Sequence, residues 1–132
     1  MLTYENIFEI IVKEIPEFKS VYDEHILDYE ELLPHVLMGD FTRFVVNMYE
    51  ESKSTNENKY CFDVFLKALS IVEAAMNSID INLQELISVS FLENVLGEEL
   101  SNEIKLHLGE SSLKELEKYE DFRGTRETPI KI

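Results

Sequence analysis

Apolar residues in this chain recur at intervals of three and four rather than two, which is the spacing of one face of an α-helix. Residues 33–49 show it most fully. At about 100° per residue, Leu37, Phe41, Phe44, Val45, Met48 and Tyr49 fall on one broad face, as a core-facing helix requires. The opposite side is polar and unusual: His35, Gly39 and Arg43 follow one another at i, i+4 and i+8, with Asp40 and Asn47 alongside. Glycine inside a helix costs roughly 1 kcal/mol against alanine, so Gly39 predicts close approach of another backbone. This helix is the expected organising centre.

The same spacing places helices on either side of it. Thr3 is a plausible N-cap for a stripe of Ile7, Phe8, Ile10, Ile11 and Ile15 that runs to Pro16. Pro16 can open a short acidic helix through Phe18, Val21, Tyr22 and Ile26 to Leu27, and Pro34 can open the central one. Residues 52–58 are polar throughout and predict an exposed loop. Beyond it, residues 59–79 put Phe62, Phe65, Leu66, Leu69, Val72, Ala75, Met76 and Ile79 on a core side, with Glu73 at its edge and partly buried.

Asp80 or Asn82 can cap a helix over residues 83–96, with Gly97 past its end. Its apolar residues go nearly all the way round, which places it in the middle of the packing and leaves Glu93 and Asn94 in need of partners. Two further helices are expected at residues 98–108 and 113–122, the second opened by the capping box Ser112-x-x-Glu115. No alternating strand pattern and no internal repeat is evident. The fold class is therefore all-α: a single-domain bundle of about six or seven helices over residues 1–122, with an extended tail at 123–132.

Composition narrows the function classes. The chain has 132 residues, of which 45% are apolar, including 8 Phe and 6 Tyr, enough for one core. Its 27 acidic and 12 basic side chains leave a net charge of −15, which nucleic-acid phosphates and anionic lipid would repel. Neither is an expected partner. The acid is concentrated early, with Lys13 and Lys19 the sole cations among residues 1–31, so a basic protein would meet the N-terminal third first. A single cysteine, Cys61, excludes an internal disulfide and fits a reducing, cytoplasmic setting. No signal pattern or membrane-length apolar run is present.

Candidate chemistry is sparse. His25, His35 and His107 share no metal-ligand spacing, and none has a glutamate three residues before it, so neither a metal nor a cofactor is expected. Gly39, Gly97, Gly109 and Gly124 stand singly and build no phosphate cradle. Cys61 reads as a small buried hydrophobe. What remains is a polar group of His35, Gly39, Asp40, Arg43, Asn47 and Glu93. Arg43 can neutralise Asp40 on the surface or pair with Glu93 inside the fold, and the apolar surroundings of Glu93 favour the buried pair.

At residues 32–45, and at Ser90-Phe91-Leu92-Glu93-Asn94-Val95, the chain resembles a family of small, acidic, all-helical bacterial proteins with no established activity. In size and charge it is similar to immunity proteins that neutralise secreted toxins. That likeness implies an acidic protein-binding module directed at a basic partner, and carries no binding residues across. An enzyme using His35, Asp40, Arg43 and Glu93 on an anionic substrate is the alternative, with His35 as general base, though no nucleophile accompanies it. A structural homodimer is the third.

Overall fold

The computed structural model describes residues 1–54 and 58–127, with residues 122–127 as backbone alone. Eight α-helical segments follow one another: α1 (Ile7–Glu14), α2 (Lys19–Tyr29), α3 (Pro34–Ser52), α4 (Lys59–Met76), α5 (Ile81–Ile87), α6 (Glu93–Leu96), α7 (Ser101–Ile104) and α8 (Glu110–Glu127). A π-helical turn at Ser88–Leu92 joins α5 to α6 as one continuous rod, so the single domain has seven helices and, among the described residues, no strand.

The central helix forms where its apolar face predicts. Pro34 sits in its first turn, where a missing N–H costs nothing, and Leu37, Phe41, Val45 and Tyr49 are buried. Met38, Thr42 and Val46 are buried as well, because α3 packs against α4 on one side and the π turn and α2 on the others. Phe41 ties these layers together, with its ring centroid 5.1 Å from Phe18 and 5.8 Å from Phe91. Truncating such a fully enclosed ring costs about 3–5 kcal/mol.

Side-chain hydrogen bonds fix several of the turns that open helices. Thr3 Oγ1 accepts from the Asn6 N–H at 3.2 Å while Asn6 Oδ1 accepts from the Thr3 N–H at 2.7 Å, which closes the turn before α1; the N-cap position of α1 is Asn6 and not the expected Thr3. Asn58 caps α4 through the Cys61 N–H. Asp80, rather than Asn82, caps α5: one oxygen accepts from Asn82 N–H and Leu83 N–H, and the other from Tyr4 N–H at 2.8 Å. These bonds, Tyr4 foremost, hold the Asp80 carboxyl below its ordinary range.

Several expectations are corrected. Helix α4 ends at Met76, so Ile79 projects into solvent at 79% exposure, and Leu66 lies at the rim instead of in the core. Residues 98–108 form only the short α7 and a 3₁₀ turn, Lys105–His107. The backbone from Arg123 to Glu127 continues α8 instead of opening an extended tail, and residues 128–132 lie outside the described residues.

The capping box is not formed either. Helix α8 starts at Glu110, which puts Ser112 inside its first turn, and Glu115 accepts a bond from Ser88 on the π turn instead. Glu73 of α4 does the capping: its carboxylate accepts from the N–H groups of Ser111 and Ser112 at 3.0 and 2.9 Å and from Ser112 Oγ at 2.8 Å. Burial raises the Glu73 pKa, but these bonds and one from Asn77 outweigh it and lower the value to about 2. A carboxylate at a helix N-terminus also meets the positive end of the helix dipole.

Candidate functional site

The six candidate residues read from the sequence do not line one cleft. Arg43 pairs with Asp40, three residues before it on α3, and its side chain is 63% exposed. Glu93 is exposed too, so the buried Arg43–Glu93 pair is absent. The π turn is the reason. A helical wheel drawn at a constant α pitch turns Glu93 and Asn94 inward, whereas an i→i+5 turn holds one more residue and shifts the phase of everything after it. With that shift Leu92 and Val95 are fully buried, and Glu93 and Asn94 face out.

Gly39 also has a different surrounding from the one expected. A Cβ built there would meet the Asn94 amide nitrogen at 3.6 Å and the Arg43 guanidinium at 3.9 Å, which is ordinary contact with side chains and not a close backbone. His35, at the start of α3, places Nδ1 2.5 Å from Ser90 Oγ on the π turn. Ser90 is buried and its carbonyl accepts from Thr42 Oγ1 at 3.0 Å and Asn94 Nδ2 at 2.7 Å. His35 and Thr42 thus bind α3 to the π turn, a structural use of the polar face, while Asn94 bonds back within its own rod.

Two clefts flank this face, and Arg43 borders both. One, of about 420 Å³, lies between α3 and α6 and is walled by Gly39, Thr42, Arg43, Glu93, Asn94 and Glu98, so Arg43 and Glu93 share a cleft without pairing. The other, of about 450 Å³, lies between α2 and α3 and takes in Asp40, Arg43 and Asn47 together with Glu24, His25 and Asp28. Its carboxylates outnumber its single arginine three to one. Such a lining attracts cations more than anions.

His25 is the member that sequence reasoning passed over. It is 2% exposed, and its Nε2 accepts from the Leu33 N–H at 2.9 Å, anchoring the chain where it enters α3. A nitrogen that accepts carries no proton, so in the neutral ring the proton is on Nδ1. That buried Nδ1 has no hydrogen-bond partner. A histidine among polar neighbours on a weakly amphipathic helix gives no sign of this in the sequence, because its burial depends on α3 folding over it.

Among the described residues, no group of three or more His, Cys, Asp or Glu is placed to hold a metal ion. No helix among them is long and apolar enough to cross a membrane. Comparison with curated proteins and with solved structures gives no match. One family does match, and it covers residues 8–124, from the first turn of α1 to well inside α8. The chain accordingly belongs to the family described as Domain of unknown function (DUF7674).

Proposed function

We propose that the protein is an acidic docking module that binds a basic protein partner and, as an immunity protein does, blocks it. The observation that carries this reading is on α2. Leu27 stands 79% exposed, one helical turn beyond Asp23 and Glu24, and Asp28, Glu30 and Glu31 follow it in solvent. Helix α2 buries His25 and no other side chain fully, so most of its surface is free to meet a partner. An exposed aliphatic anchor within a carboxylate rim suits association in which charge speeds encounter and a desolvated side chain holds the complex. Val36, 41% exposed near the start of α3, is a second aliphatic side chain left in solvent. The net charge of −15 supplies the long-range field.

The test begins with capture of the partner from the native host and continues with its binding kinetics. Leu27→Ala should speed dissociation, and neutralising Asp23, Glu24 and Asp28 to amides should slow association. Rising ionic strength should slow association of the unmodified protein, as the Debye length falls below about 10 Å. A partner indifferent to salt and to Leu27 would overturn the reading.

A further inference from the structure

His25 lines an acidic cleft and carries a buried Nδ1–H with no partner, and burying a donor unpaired costs about 1–3 kcal/mol. The bond from the Leu33 N–H accounts for an accepting ring nitrogen at this place, but it leaves the second nitrogen as a donor with nothing to answer it. A ligand that answers it must bring an acceptor oxygen; one that suits Glu24 and Asp28, beside an Asp40 already paired with Arg43, must also bring a cation. A basic polypeptide segment has both, a main-chain carbonyl and an Arg or Lys side chain. We propose that the α2–α3 cleft receives such a segment of the partner, its carbonyl on His25 Nδ1–H and its cationic side chain beside the Glu24 and Asp28 carboxylates. This rests on the docking reading above and assigns its point of insertion.

Tyr29 is the gate. Its ring lies 4.9 Å from the imidazole, centroid to centroid, and is half-exposed at the last turn of α2, while Nδ1 itself is shielded from water. The incoming segment takes the place of the Tyr29 ring. Holding the site mostly closed lowers apparent affinity by the open fraction, and removing the gate restores it.

An acetylated, amidated oligo-arginine peptide serves as the probe, titrated into the full chain with the His25 imidazole ¹⁵N and Nδ1–H resonances followed by NMR. The His25 Nδ1 signal should shift saturably, Tyr29→Ala should tighten binding about fivefold, and amides at Glu24 and Asp28 should weaken it more than amides at Glu50 and Glu51. Spermidine, a cation without a carbonyl, should leave the Nδ1 signal in place. Peptide binding with the His25 signal unmoved, or with equal losses from both amide pairs, would overturn the cleft and leave the docking reading standing. A spermidine response equal to the peptide's would overturn the carbonyl contact. Salt-independent capture of the native partner would remove the docking reading itself.

Discussion

Glu73 fills the space that a side chain on Gly109 would need: a Cβ on Gly109 would lie 2.5 Å from the Glu73 carboxyl carbon. The carboxylate cannot step aside freely, because Ser111, Ser112 and Asn77 all donate to it. Gly109→Ala should therefore destabilise the fold by about 1–3 kcal/mol in urea unfolding. In the background of Glu73→Ala the same change should cost much less, since the clash and the clasp have gone together. Equal costs in the two backgrounds would contradict the packing described here.

Acid should release the same clasp. The Glu73 pKa of about 2 lies below its ordinary value of 4.5, so its contribution to stability is fully present above pH 4.5 and is lost as pH falls through about 2. From that shift, discounted for partial exposure, the contribution is about 2–3 kcal/mol. Asp80 and Glu115 are shifted in the same direction and add to the overall slope. The decisive quantity is the difference in unfolding free energy between the protein and Glu73→Gln, which should shrink across that window.

Gly39→Ala should raise stability. The added methyl meets Asn94 at 3.6 Å without displacing it, and alanine in a helix interior gains roughly 0.5–1 kcal/mol over glycine. Because Gly39 also walls the α3–α6 cleft, the variant separates stability from use of that cleft. A loss of thermal stability would mean that α3 is more crowded there than its neighbours indicate.

Arg43→Ala and Glu93→Ala should each cost within about 0.5 kcal/mol, and the double variant should cost their sum. The Arg43–Asp40 pair is one turn of exposed helix surface, where such pairs contribute little. A large, non-additive loss would restore the buried pair that the helical wheel predicts.

That wheel explains how far the sequence could be read. Over α3 it works, because Leu37, Phe41, Val45 and Tyr49 keep a constant α phase and all four are buried. Over residues 83–96 it fails at one place. Leu83, Leu86, Ile87 and Phe91 keep the phase, but Leu92 follows Ile87 by five residues, and Val95 follows Leu92 by three. Apolar residues all the way round were thus two stripes out of step, and the step is the π turn. The clasp was hidden for another reason: Glu73 and Ser112 are 39 residues apart, and a cap supplied from a distant helix leaves no local signature. For the same reason the binding candidates on α3 were legible as residues while the His25 wall of their cleft was not.

The π turn has a consequence for insertions and deletions. Residues Ser88–Leu92 hold one residue more than an α turn, so which side chains of α6 meet solvent is settled by counting and not by chemistry. Removing Val89, which is 43% exposed and covers little, would take out the residue held in excess and rewind the rod to a single pitch, with Leu92 and Val95 still inside and Glu93 and Asn94 still outside. The same deletion made in α5, ahead of the turn, would leave the excess in place and set the apolar stripe of α5 out of step with that of α6. The π turn is thus the one place where this rod can lose a residue and keep both of its faces.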